Sequence, residues 1–234
     1  MRALVTGAGR RLGFYLCEQL VAAGWQVTGQ YRSDRPELGR LRALGVELIQ
    51  ADFTRPEEVA ALAHATARHE DLGLIIHNAS AFEPLAEDPA EQLAQFDRFY
   101  RVHMAAPFQL NQVLAPRLAC NANASIIQIT DIYIHGPAPR FANYVATKAG
   151  AHSLAMSLAR QLAPAVRVNT IEPGPILFLD EHDEAWRQQV LARTPLAREG
   201  GLEPIWQAVQ LLLGNHYMTG ASIKVDGGRS LAII

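Results

Sequence analysis

Arg2-Ala3-Leu4-Val5-Thr6-Gly7-Ala8-Gly9-Arg10-Arg11-Leu12-Gly13 opens the chain and sets its architecture. A short apolar run, Arg2 to Thr6, enters a loop with glycines at 7, 9 and 13, and Leu12, Leu16 and Leu20 then recur at helical spacing toward a stop at Gly24. This is strand, tight loop, helix. Gly7 and Gly13 allow the sharp turn and the close approach of helix to strand, and backbone N–H groups at the helix start can hold a pyrophosphate. A glycine turn with a purely structural role gives the same local pattern, so the function of the loop depends on what accompanies it.

The same alternation continues along the chain. Gln26 to Tyr31, Glu47 to Ala51, Leu72 to His77, Ser125 to Thr130, Val166 to Ile171 and Ser222 to Val225 read as further strands. Helices are expected over Pro36 to Leu44, Pro56 to His69, Glu91 to Leu118 with an interruption near Pro107, Asn143 to Leu162 and Glu203 to Leu213. No internal repeat or low-complexity linker intervenes. Strand alternating with helix predicts an α/β, Rossmann-type doubly wound parallel sheet of about seven strands with helices on both faces. At 234 residues and 49% hydrophobic, the chain suits one large core, and residues 1–234 are expected to form a single domain.

A net charge of -2, from 21 basic and 23 acidic residues, gives no electrostatic reason to bind nucleic acid or an anionic membrane. The first residues run straight into an apolar strand, and no uninterrupted apolar run reaches about 18 residues, so a soluble cytoplasmic protein is expected. Cys17 and Cys120 lie far apart, outside any metal-ligand spacing, and read as small packed side chains.

Tyr144-Val145-Ala146-Thr147-Lys148 places a phenol and an ammonium one turn apart on the same helix face, able to act on one small molecule. A phenol with a pKa of about 10 is a poor acid–base catalyst near neutrality, and a neighbouring cation favours its ionised form. Asp131, thirteen residues earlier at the end of an expected strand, could share or pass a proton if buried beside Tyr144.

With Val225-Asp226-Gly227-Gly228 near the end and His77-Asn78-Ala79-Ser80 between, these elements resemble the short-chain dehydrogenase/reductases over essentially the whole chain. Arg11 at the sixth position of the glycine loop, the run Asn78-Ala79-Ser80-Ala81-Phe82 and the aspartate before the tyrosine are similar to the pteridine reductases, and within them to the bacterial dihydromonapterin reductases. The resemblance implies catalysis by Asp131, Tyr144 and Lys148. It implies a dinucleotide held by Gly7, Arg10, Arg11, Leu12, Tyr31, Arg32, Ser33, Asp52, Phe53, Asn78, Ala79, Ser80, Thr130, Tyr144, Lys148, Pro173 and Gly174. It also implies a pterin site made of Arg11, Ser80, Phe82, Asp131 and Tyr144, with Phe82 as the stacking aromatic. Arg11 stands where the commoner family pattern has a third glycine.

The second strand ends about twenty residues after the glycine loop, where this fold reads the adenosine ribose. An acidic residue there would accept from a 2′-hydroxyl. Tyr31-Arg32-Ser33 suits a 2′-phosphate instead, so the expected cofactor is NADPH, with Asp34 the one dissenting residue. His103 occupies the place of the family's tetrad asparagine, and its imidazole could hold the same water or fill space. By resemblance, Leu177 to Trp186 is a substrate lid. Its Asp180-Glu181-His182-Asp183 could bind a metal, but hydride transfer needs none and no metal is expected. The helix carrying Tyr144 and the tail Gly227 to Ile234 are expected against neighbouring subunits of a homo-oligomer, a dimer or tetramer.

Three functions remain open at this level. One is an NADPH-dependent reductase of a 7,8-dihydropterin, dihydromonapterin first and dihydrofolate more weakly. The second is a conventional NADPH-dependent carbonyl or 3-oxoacyl reductase, against which Asp131 in place of a serine speaks. The third is a non-catalytic dinucleotide sensor, which His103 alone supports and which Tyr144 and Lys148 oppose.

Overall fold

The computed structural model describes residues 1–179 and 182–232. Asp180 and Glu181 of the expected lid, and Ile233 and Ile234 of the tail, lie outside these residues. From the start of the chain, β1 (Arg2–Val5) leads through the glycine loop into α1 (Arg11–Ala22), followed by β2 (Gln26–Tyr31), α2 (Leu38–Ala43), β3 (Glu47–Gln50), α3 (Pro56–Ala67) and β4 (Leu72–His77). The second half contains α4 (Pro89–Tyr100), a π-helical turn (Arg101–Ala105), α5 (Ala106–Leu118), β5 (Ser125–Ile129), α6 (Ala142–Leu162), β6 (Arg167–Pro173), α7 (Glu184–Ala192), α8 (Glu203–Gly214) and β7 (Ser222–Val225).

The strands form a seven-stranded parallel sheet in the order β3-β2-β1-β4-β5-β6-β7. Parallel strands need crossovers, and the helices supply them while covering both faces. Alternate side chains therefore enter two cores. Ala3, Val5 and Ile127 meet Leu16, Leu20 and Leu41 with Val209 and Leu212 on one face. Leu4, Ile75 and Ile126 meet Leu62, Leu110, Leu114 and Leu158 on the other. Each such aliphatic side chain, fully buried, contributes about 1.5–3 kcal/mol. The strand order reverses between β1 and β4, and in a sheet of this kind the ligand crevice opens there, beyond the carboxyl ends of the strands.

The expected long helix from Glu91 to Leu118 is corrected at its start and is interrupted, as expected, near Pro107. It begins at Pro89, where the Asp88 carboxylate caps it by accepting from the Glu91 N–H at 2.9 Å. Its interruption is the π-helical turn at 101–105, just ahead of Pro107, whose missing N–H cannot complete a regular helical bond to the turn before it. His103 sits in that turn. The region expected as a lid continues into α7, where Asp183 is an N-cap that accepts from the Trp186 N–H at 2.7 Å.

Candidate functional site

The glycine loop forms the floor of a crevice of about 520 Å³. Gly7 has φ +70°, and a Cβ there would stand 2.8 Å from the Ala79 Cα. A Cβ on Gly13 would stand 2.1 Å from the Gly7 carbonyl oxygen. The close approach is fixed from several sides. The Gly7 N–H donates to Gln30 Oε1 at 2.8 Å, and Gln30 Nε2 donates to the Ala51 carbonyl at 2.6 Å. The Thr6 hydroxyl accepts from the backbone N–H groups of Asn78 and Ala79, both at 3.0 Å, and Asn78 Nδ2 donates to the carbonyls of Thr6 and Gly7 at 3.0 and 3.3 Å. Asn78 lines the crevice while its amide braces the loop.

No side chain caps the start of α1, and its first turn carries no acid, so its backbone donors and positive dipole end are left for an anion. The donor set and the space fit a dinucleotide pyrophosphate. Arg11 takes φ +52°, a left-handed conformation that costs a residue with a Cβ about 1–2 kcal/mol, which is why a glycine suits the place. Its guanidinium donates to the carbonyl of Phe178 at 3.1 Å and to that of Leu177, joining the glycine loop to the segment ahead of α7.

At the far end, Tyr31, Arg32, Ser33, Asp52 and Phe53 line the crevice, with Arg35 as a further cation. Burial acts against ionisation of Asp52, but the Thr54 N–H and hydroxyl, with Arg32 and Arg55, hold its carboxyl below the usual range. Asp34, the dissenting acid, is exposed, faces Arg42 at 3.7 Å and does not line the crevice.

At the other end, Tyr144 Oη donates to Asp131 Oδ2 at 2.8 Å, and Asp131 Oδ1 accepts from the Tyr133 N–H at 2.9 Å. Burial raises the Asp131 carboxyl above its ordinary range, with the Tyr133 N–H, the Tyr144 hydroxyl and Lys148 pulling the other way. Burial and then the Asp131 carboxylate push the Tyr144 phenol well above its usual value. Both partners are raised, so the pair keeps a proton near neutrality. This corrects the expectation that Lys148 draws the phenol down. The Lys148 ammonium lies 5.7 Å from the Tyr144 ring centroid and donates to the Ile129 carbonyl at 3.1 Å, and burial lowers its own pKa to about 8.

His103 is buried between these groups. Its Nε2 is 2.9 Å from Ser80 Oγ and 3.2 Å from the Ala81 nitrogen, and its Nδ1 is 2.8 Å from Thr147 Oγ1. Both ring nitrogens are engaged by protein groups. Above the pair, Phe82 stacks on Phe141 with centroids 4.8 Å apart and meets Tyr144 edge-on at 4.9 Å. Phe82 is 36% exposed and lines the crevice.

Gly7, Arg10, Arg11, Leu12, Tyr31, Arg32, Ser33, Asp52, Phe53, Asn78, Ala79, Ser80, Phe82, Asp131, Tyr144, Pro173 and Gly174 thus share one crevice. Thr130 and Lys148 stand behind its wall, where the Thr130 hydroxyl donates to the Ile171 carbonyl at 3.2 Å. Gly174 is pressed on Asp226, whose Cα a Cβ at Gly174 would approach to 2.7 Å, so the Val225-Asp226-Gly227-Gly228 segment backs the Pro173-Gly174 turn. Sequence reasoning missed Arg35, Tyr133 and Phe141, which line the crevice from a loop and two short 3-10 turns, and Gln30, which braces it from within β2; Phe178, also on the crevice wall, falls within the region expected as a lid. A polar residue in the middle of an otherwise buried strand was the available signal for Gln30.

Among the described residues no helix is long and apolar enough to cross a membrane, and no cluster of three or more His, Cys, Asp or Glu side chains could hold a metal. A family model described as Enoyl-(Acyl carrier protein) reductase matches residues 7–230. The chain is 37% identical over 232 residues to a dihydromonapterin reductase of Klebsiella pneumoniae subsp. pneumoniae, covering 97% of this chain and 96% of that protein. It is 36% identical over 233 residues to the enzyme of the same name from Enterobacter sp., with the same shares covered. Among solved structures it is similar to a short chain dehydrogenase/reductase family protein, with TM-score 0.85 and 28% identity over 99% of this chain and 97% of that one. It is also similar to acetoin dehydrogenase from Enterobacter cloacae, with TM-score 0.84 and 26% identity over 98% and 95% of the two chains. The glycine-loop crevice, the buried tyrosine and these likenesses together establish that the chain belongs to the short-chain dehydrogenase/reductase family and is an oxidoreductase that works with a nicotinamide dinucleotide.

Proposed function

We propose that the chain is a cytoplasmic NADPH-dependent reductase of 7,8-dihydropterins, dihydromonapterin first and dihydrofolate more weakly. The observation that carries this reading is the buried Asp131–Tyr144 pair, hydrogen-bonded at 2.8 Å beneath the stacked Phe82 and Phe141 rings. A flat heterocycle with apolar faces and a polar edge suits a slot walled by Phe82 on one side. When bound, NADPH supplies the hydride. Tyr144, kept protonated by burial and by its carboxylate neighbour, delivers the proton to the ring nitrogen next to the reduced carbon, N5 of a dihydropterin, and Asp131 restores it. Lys148, held from behind by Ile129, supplies positive charge beside the pair and orients the nicotinamide ribose. The α1 N-terminus and Arg11 meet phosphate, while Arg32, Ser33 and Arg35 meet the 2′-phosphate at the open end of β2.

The names of the curated relatives support the pterin reading. A simple ketone has no use for a carboxylate beside the tyrosine, which weighs against a carbonyl reductase. Loss of NADPH absorbance with dihydromonapterin, dihydrobiopterin, dihydrofolate and a panel of ketones side by side is the test. Turnover of ketones alone refutes the reading.

A homo-oligomer, dimer or tetramer, is part of the same proposal. Leu93, Phe96, Tyr100 and Phe108 recur along α4 and α5 at near-helical spacing and are all exposed, Leu93 to 71%. Exposed large apolar side chains aligned on one face suit a subunit contact. Light scattering reads the mass, and a monomer at micromolar concentration would refute it.

A further inference from the structure

We infer that His103 is a positioning residue that fixes the Ser80 hydroxyl as a hydrogen-bond acceptor toward the substrate, so that the group meeting Ser80 must be an N–H or O–H donor. The inference deepens the dihydropterin reading and rests on it. Its argument starts from two backbone groups whose roles admit no choice. The Ala81 N–H can only donate, and it points to His103 Nε2 at 3.2 Å, so Nε2 carries no proton. At the other end the Tyr144 carbonyl can only accept, and the Thr147 hydroxyl donates to it at 2.9 Å. Thr147 Oγ1 is therefore left to accept, and the proton on His103 Nδ1, 2.8 Å away, is donated to it. The imidazole is the neutral Nδ1–H tautomer. Burial and the nearby Lys148 hold it well below the usual histidine range, which agrees.

A bare Nε2 has nothing to give Ser80. We assign the 2.9 Å contact to the serine hydroxyl donating to the ring, a shorter bond than the alternative to the Ala81 carbonyl at 3.4 Å; the Tyr144 hydroxyl, which gives its own proton to Asp131, is the other group that meets the Ser80 side chain. With its proton spent, Ser80 offers lone pairs to the crevice it lines. A ketone oxygen gains nothing from such a group, whereas the amino and ring N–H edge of a pterin does. The π-helical turn at 101–105 holds the ring in place, stacked on Phe99 at 5.6 Å. The same chain of bonds ends on the backbone of Tyr144, joining the proton donor to the residue that reads the substrate edge.

The test uses His103→Asn, His103→Gln, Ser80→Ala and the double variant Ser80→Ala/His103→Asn, assayed with NADPH and a 7,8-dihydropterin after turnover by the unmodified protein is established. An asparagine amide matches the Nδ1 position and falls short of Ser80; a glutamine carbonyl reaches the Nε2 position and can accept from Ser80 and Ala81. Loss of one neutral hydrogen bond predicts a KM increase of about 3–10-fold in Ser80→Ala and in His103→Asn, no further increase in the double variant, and a smaller one in His103→Gln. Losses that multiply in the double variant overturn the inference. So does an unchanged KM in His103→Asn, the result expected if the ring merely replaced a water-holding asparagine. NADPH binding and the thermal midpoint of each variant identify any that fail to fold. Should His103→Asn be one of these, Ser80→Ala is made in the His103→Gln background, where a cost of about 3–10-fold supports the inference and no cost overturns it. Absence of dihydropterin turnover by the unmodified protein defeats the proposed function and this inference together, whereas turnover with multiplying losses defeats the inference alone.

Discussion

Replacing Lys148 by methionine should stabilise the cofactor-free protein near neutrality, and by an amount that depends on pH in a defined way. The lysine is 3% exposed, and burial holds its pKa down from 10.5 to about 8. Below about pH 8 the ammonium is charged in folded and unfolded chains alike, and the folded state carries the full cost of keeping it out of water. Between about 8 and 10.5 the folded chain binds fewer protons than the unfolded one, so this group's contribution to stability rises with pH. A depression of that size corresponds to about 3 kcal/mol. Methionine has a similar length and no charge but gives up the charge-assisted bond to the Ile129 carbonyl, worth about 1.5 kcal/mol or more. The variant should therefore be more stable by about 1–2 kcal/mol near pH 7, and the difference should shrink by about 3 kcal/mol and change sign by about pH 10.5. Cys17 and Tyr15, both pushed up to about 12, and the raised Tyr144 act in the opposite sense at alkaline pH. They are common to both proteins and cancel to first order in the difference. Urea unfolding followed by circular dichroism across that range reads the difference directly. A stability difference that stays constant with pH would refute the reasoning.

The fold was largely legible because parallel strands buried on both faces leave short apolar runs, and the glycine loop fixes where the first of them turns. All seven strands lie where the apolar runs place them, to within a residue or two. What the spacing of Tyr144 and Lys148 could not tell is depth. It put phenol and ammonium on one helix face, but burial makes the ammonium a stronger acid, with a pKa of about 8, and burial and then the Asp131 carboxylate, not the cation, set the state of the phenol. The same limit applies to His103. A sequence shows an imidazole in place of an amide, and only the fold shows Ser80, Ala81 and Thr147 closing on both its nitrogens. Phe141 was missed because it ends a short 3-10 turn whose place on the crevice wall depends on elements far away in the chain. Asp34 illustrates the opposite case, a residue the sequence left in contention at the end of β2 until its position beside Arg42 removed it from the crevice.

Four further outcomes test the site. Tyr144→Phe removes only the hydroxyl that donates to Asp131 and should lower turnover about a hundredfold to ten-thousandfold while NADPH still binds; retention of half the rate would assign the proton to another donor. Arg32→Ala should narrow the preference for NADPH over NADH by roughly tenfold, since a charge-assisted bond to phosphate is worth about 1.5 kcal/mol or more; equal use of both cofactors by the unmodified protein would remove the 2′-phosphate from the end of β2. Gly13→Ala should abolish dinucleotide binding measured by fluorescence, because its Cβ would stand 2.1 Å from the Gly7 carbonyl oxygen and neither backbone can yield without opening the loop. Phe82→Ala should leave NADPH binding intact and raise KM for dihydropterins by roughly twofold to twelvefold, the equivalent of about 0.5–1.5 kcal/mol of stacking on a ring that already lies 4.8 Å from Phe141. Because Phe82 is partly exposed on the crevice wall and absent from both cores, its loss should lower the thermal midpoint only slightly, through its contacts with Phe141 and Tyr144, and an unchanged KM would mean that the pterin stacks elsewhere.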